Sequence, residues 1–215
     1  MKKRTLLALL SMVGALAILL MAAFLGNEED SNAEMAIKKI DGIMRKAEIP
    51  QKKLTKAEKT EGDYYHDLIK MNPDQNKEIH FLIRKMNDSL LERKVAISQE
   101  KEIVDKAKRE REKYTVKKIS NQSSEKDMKE KNVFDRMDRR FSIHEQLIQA
   151  YKKSVKADKH LYTLFNSSKT SITELQNAIE TVNDQYKKVK RLNEEYNSES
   201  LGYIRARNAF FDAGT

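Results

Sequence analysis

The chain has 215 residues, 39% hydrophobic and 35% charged, with six glycines, two prolines and no tryptophan. This composition, poor in turn formers, belongs to long helices packed along narrow apolar seams. The absence of cysteine excludes disulfides, thiolate nucleophiles and Cys-ligated zinc. A net charge of +9 directs attention to anionic partners, without choosing among phosphate polymers, lipid head groups and nucleic acid.

Residues 1–26 read as a targeting segment, either a signal peptide or an N-terminal membrane anchor. Lys2, Lys3 and Arg4 precede an uncharged run from Leu6 to Leu25, and Glu28, Glu29 and Asp30 follow it. Basic before and acidic after places the N-terminus inside and the remainder outside. The apolar run exceeds the roughly 7–15 residues of a signal core and reaches the roughly 20 that span a bilayer. Length therefore favours an uncleaved anchor. Ser31-Asn32-Ala33 has small residues at cleavage spacing, but the acidic run separates it from the apolar core.

The body, residues 27–215, is expected to be all-α: an elongated up-down antiparallel bundle or coiled coil of three to four long helices. The first helix covers about 33–71, carried by Ile37, Ile40, Met44, Ala47, Leu54, Tyr65 and Leu68, with a kink or break at Pro50. Asn72-Pro73-Asp74 reads as a helix start, opening a second helix over 73–119. Its stripe Ile83, Leu90, Ile97, Val104 is apolar. The companion positions Ile79, Met86, Arg93, Glu100, Ala107 and Tyr114 are mixed, which predicts looser packing.

Ser124 with Asp127 has capping-box spacing and opens a third helix to 165. This helix carries two stripes. One runs Phe134, Met137, Phe141, His144, Ile148, Tyr151, Val155, Asp158, Tyr162, Phe165; the other runs Ile143, Leu147, Ala150, Ser154, Ala157, Leu161, Leu164. Two stripes require two neighbours, so this helix belongs inside a bundle. Ser171 with Glu174 caps a fourth helix, 171–211, with Ile172, Leu175, Ile179, Val182, Tyr186, Val189, Asn193 and Tyr196 in phase. Gly202 should weaken its last turns.

The segment Tyr151-Lys-Lys-Ser-Val-Lys-Ala-Asp-Lys-His-Leu-Tyr162, followed by Leu175 through Asn193-Glu-Glu-Tyr-Asn197, resembles the YkyA-like family of putative cell-wall-binding lipoproteins of Gram-positive bacteria. The likeness spans most of residues 27–215. It implies an extracytoplasmic, membrane-tethered helical protein associated with the wall, and it supplies no catalytic residue. Members of that family end the apolar run in a lipobox cysteine. Here Asn27 stands at that position, and an amide cannot form the thioether, so no lipidation is expected there.

No phosphate-cradling glycine motif, nucleophile elbow or HExxH occurs, and no cofactor is implied. The four histidines, His66, His80, His144 and His160, do not pair at helical spacing. His144 lies in the seam and reads as a core residue; Asp158, also in the seam, reads as a register-fixing polar residue. The tyrosines read as packing residues with hydroxyls at the rim. Three basic runs stand out. Lys106, Lys108, Arg109, Arg111, Lys113, Lys117 and Lys118 form the first; Lys152, Lys153 and Lys156, with Lys159, the second; Lys187, Lys188, Lys190 and Arg191 the third. Charge-rich helices carry such faces without any ligand; the functional reading is contact with teichoic phosphates or anionic lipid heads. An up-down bundle would bring the first run and the later part of the last helix to one end.

The expected function is a non-enzymatic, tethered, extracytoplasmic protein that contacts the cell wall, through teichoic acid or peptidoglycan. The rival is an anchored coiled-coil scaffold that binds envelope, division or secretion proteins, with homo- or hetero-oligomers formed through helix seams. Nucleic acid fits the charge but not the exterior location.

Overall fold

The computed structural model describes residues 32–72, 75–116, 124–167 and 169–212. Helices α1 (Asn32–Met44) and α2 (Glu48–Lys70) are joined through a 3-10 turn at Arg45–Ala47; α3 (Asn76–Glu112), α4 (Glu125–Phe165) and α5 (Ile172–Phe211) follow. All regular elements among the described residues are helical. The expectation for residues 1–26 lies outside them. Among the described residues no helix is long and apolar enough to cross a membrane.

Cross-helix pairs fix the directions. Arg93 meets Asp158 while Arg111 meets Asp138, so α3 and α4 run antiparallel. Arg136 meets Glu199 while Asp158 meets Tyr186, so α4 and α5 do too. Gln51 meets Glu100 and Lys39 meets Glu110, so α1 and α2 together lie as one rod along α3. The result is four rods, up and down. The 41 residues of α4 span about 60 Å at 1.5 Å per residue. Both of its stripes face inward: Phe134, Met137, Ile148, Tyr151 and Val155 are buried, as are Leu147, Ala150, Ser154 and Leu161.

Both capping boxes form. Ser124 Oγ accepts from the Asp127 backbone N–H while the Asp127 carboxylate accepts from the Ser124 backbone N–H, and Ser171 and Glu174 do the same. Two features differ from the expectation. The break in the first rod precedes Pro50, which sits in the first turn of α2, where its missing N–H would have had no partner anyway. The second helix runs Asn76–Glu112, with Gln75 rather than Asn72 at its N-cap, not 73–119. At its C-terminal end Arg111 Nη1 donates to the Tyr114 carbonyl at 2.9 Å, and the Tyr114 ring stacks on Phe134 at 4.7 Å, turning the chain towards α4. Gly202 lies inside the last helix, which runs on to Phe211 as expected. A Cβ there would come within 3.0 Å of Arg136, whose guanidinium crosses to Glu199 with two bonds of 3.0 and 3.1 Å. The glycine makes room for that crossing.

Candidate functional site

The mixed layer of α3 is an internal polar network. Arg93 is 0% exposed. Its Nη1 donates to Glu61 of α2 at 2.7 Å and to Asp158 of α4 at 2.8 Å; its Nη2 donates to Ser154 at 3.3 Å and lies 4.0 Å from Glu58. Tyr162 donates to Glu61, Tyr186 donates to Asp158 at 3.0 Å, and the guanidinium sits 5.6 Å from the Tyr186 ring centroid. One cation thus faces three carboxyl groups inside the bundle. Glu61 and Asp158 each accept from the guanidinium and from a tyrosine. Glu58 has only the distant guanidinium, and its Oε2 is buried without a hydrogen-bond partner.

The protonation states follow from this geometry. Burial pushes the Glu58 carboxyl up to about 8, Arg93 offsetting only part of the effect while Glu61, Asp158 and Glu100 add to it. Burial also raises Glu61 and Asp158, against the attraction of Arg93. Glu58, whose Oε2 has no hydrogen-bond partner, is thereby favoured in its protonated form at neutral pH.

A second polar layer lies one to two turns away. Gln51 Nε2 donates to Glu100 Oε1 at 2.8 Å, and His144 Nε2 donates to the same oxygen at 3.1 Å, with the imidazole 5.6 Å from the Tyr196 ring. A third joins α1 to α5: Arg207 and Tyr203 donate to Asp41 at 3.0 and 2.7 Å. Asp158 and His144 are thus core residues, as the seam implied. The tyrosines go deeper than the rim. Tyr151 and Tyr203 are fully buried, and the hydroxyls of Tyr114, Tyr162, Tyr186 and Tyr203 donate to carboxylates. Among the described residues no group of His, Asp or Glu is arranged to hold a metal ion.

The basic runs separate into two regions. Lys152, Lys153 and Lys156 are exposed on α4, and Lys187, Lys188, Lys190 and Arg191 on α5. The Asp158–Tyr186 bond puts these two runs at one height on neighbouring helices. Lys187 pairs with Asp184 and Arg191 with Glu195, within one turn. Lys152, Lys153, Lys156, Lys188 and Lys190 make no ion pair among the described residues. The run Lys106–Lys113 lies on the other side of the Glu100–His144 layer, roughly 20 Å along the axis between the run centres at 1.5 Å per residue. It reaches the same end as the last turns of α5, as an up-down bundle implied. Its members differ. Lys106 and Arg109 are exposed and make no ion pair among the described residues; Lys108 lies 3.8 Å from Glu145, and Lys113 bonds Glu110. Arg111 is half-buried, salt-bridged to Asp138 and 4.6 Å from the Phe134 ring centroid, so it holds the α3–α4 junction. Lys117 and Lys118 lie outside the described residues.

The Arg93 network was only half visible in the sequence, where Arg93, Glu100, His144 and Asp158 all occupy seam positions. The missing half is Glu58 and Glu61. Leu54, Glu58, Glu61, Tyr65 and Leu68 follow one heptad stripe of α2. Two acids in that stripe, a lone arginine in the next and an acid in the third were the signal.

Fold and surface together define an all-α rod with a polar-layered core and a basic outer belt. The chain belongs to the YkyA family, described as "Putative cell-wall binding lipoprotein", whose model matches residues 28–213. It is 27% identical over 165 residues to "Uncharacterized lipoprotein YkyA" of Bacillus subtilis (strain 168), covering 76% of this chain and 73% of that protein. A crystal structure of a conserved protein of unknown function from Staphylococcus aureus superposes with a TM-score of 0.61 at 14% identity, covering 86% of this chain and 98% of that one. The last likeness is one of fold.

Proposed function

We propose that this chain is a non-enzymatic, membrane-tethered, extracytoplasmic rod that binds the anionic polymers of the cell wall through the α4–α5 belt. The observation that carries the reading is the level placement of Lys152, Lys153, Lys156, Lys187, Lys188, Lys190 and Arg191 on adjacent helices, five of the seven without an acidic partner among the described residues. Unneutralised charges at one height suit a polyphosphate strand, which meets several cations at once. The family description supports a wall and lipoprotein context. A scaffold that takes an external helix finds no open seam in the mixed layer of α3, because Arg93 and Glu100 are buried against α2 and α4.

The test is co-sedimentation of the protein with purified walls, with and without teichoic acid, at low and physiological salt. Exposed charges are screened over about 8 Å at 0.15 M. Binding that requires teichoic acid and falls with salt supports the proposal. Salt-independent binding to stripped peptidoglycan would instead indicate sugar or peptide recognition.

A further inference from the structure

Four chain segments meet at one end of the rod. Lys126 of α4 bonds Glu34 of α1 at 3.3 Å, Lys39 of α1 bonds Glu110 of α3, and Ala33, Phe134, Tyr203 and Phe210 share one apolar cluster. Asn32 begins α1 at this end, so residues 1–31, with their uncharged run Leu6–Leu25, join the bundle here. The surface here is mixed in a particular way. Met35 is 50% exposed and Met128 51% exposed, each in an opening turn of its helix. Lys126 lies 5.8 Å from the Phe210 ring centroid and Lys38 5.8 Å from that of Phe211. Long lysine stems lying along apolar side chains, beside uncovered methionines, are the pattern of a surface that sits at a lipid–water boundary. Around this end, residues 34–39, 106–116, 125–131 and 205–212 hold twelve basic and seven acidic residues; around the other, 67–78 and 169–180 hold three and five. Glu28, Glu29 and Asp30 reduce that basic excess, so charge alone does not carry the argument and the methionines are essential to it.

We propose that this end of the bundle is a membrane-facing surface, in which Met35 and Met128 enter the head-group region of an anionic bilayer and Lys38 and Lys126 engage lipid phosphates. The rod then stands on the membrane with the α4–α5 belt held away from it. The proposal rests on the tethered reading above, and its test separates the two.

Because the chain has no cysteine, Met128→Cys and, at the opposite end, Ile172→Cys each give a single labelling site. The full chain carrying an environment-sensitive fluorophore is reconstituted with vesicles of phosphatidylcholine, with or without phosphatidylglycerol, and floated. The Met128 probe should shift to the blue and lose severalfold access to aqueous quencher on the anionic vesicles. That change should shrink on phosphatidylcholine alone and in a Lys126→Gln background. The Ile172 probe should stay as in solution. A chain that floats while the Met128 probe remains solution-like overturns the membrane-facing surface and leaves the tether intact. Equal shifts at both probes overturn the upright arrangement. A chain that does not float overturns both readings.

Discussion

Glu58 makes the stability of the bundle depend on pH between about 4.5 and about 8. Burial pushes its carboxyl up to about 8 in the folded chain, against 4.5 for a solvated glutamate. A raised folded value means that the native state holds the proton more tightly. The stability this contributes is complete below about 4.5 and is lost progressively as pH rises to about 8. At 1.36 kcal/mol per unit the whole loss amounts to about 5 kcal/mol as an upper bound, a large part of the roughly 5–15 kcal/mol by which a domain of this kind is stable. Glu110, Glu125 and Glu174, held low by lysine or capping hydrogen bonds, act in the opposite sense and only at more acidic pH. Glu58→Gln keeps the shape and removes the charge. Denaturant unfolding between pH 5 and pH 9 should show the wild-type chain losing stability while the variant loses markedly less, with the two diverging most above pH 8. Parallel stability curves across that range would refute the assignment of the buried proton to Glu58.

Other substitutions probe the remaining joints. Arg93→Met leaves Glu61 and Asp158 buried without their cation and should cost about 3–5 kcal/mol in denaturant unfolding; adding Glu61→Gln and Asp158→Asn should restore much of that loss. Gly42→Ala, with nothing within 4 Å of the new methyl group, should raise stability by about 1 kcal/mol. Gly202→Ala should gain less, because Arg136 must retreat from Glu199 to admit it; thermal melts of the two variants side by side decide the matter. Ser171→Ala removes the N-cap of α5 and should cost about 1 kcal/mol, with faster amide exchange confined to the first turn.

The rods were legible because their information is local. Ser124 with Asp127 and Ser171 with Glu174 announce helix starts through side chains that reach three residues, and the two stripes of α4 announce two neighbours. Features set by distant partners were not legible: α3 stops where Tyr114 stacks on Phe134, and the open side of Gly202 is taken by Arg136. The basic runs were plain in sequence, but their grouping depends on the axial registry fixed by pairs such as Asp158–Tyr186. Arg111 looked like a member of a charged face and is instead part of a junction.

The most direct test of the wall-binding account compares two charge-removal variants in the co-sedimentation assay. One replaces Lys152, Lys153, Lys156, Lys187, Lys188, Lys190 and Arg191 with glutamine; the other replaces Lys106, Lys108 and Arg109. All ten side chains are exposed, so both variants should fold as the wild type does. The account predicts that the first variant loses salt-sensitive, teichoic-acid-dependent binding and the second retains most of it. Equal binding by the first variant and the wild type would contradict the assignment of the α4–α5 belt as the working surface.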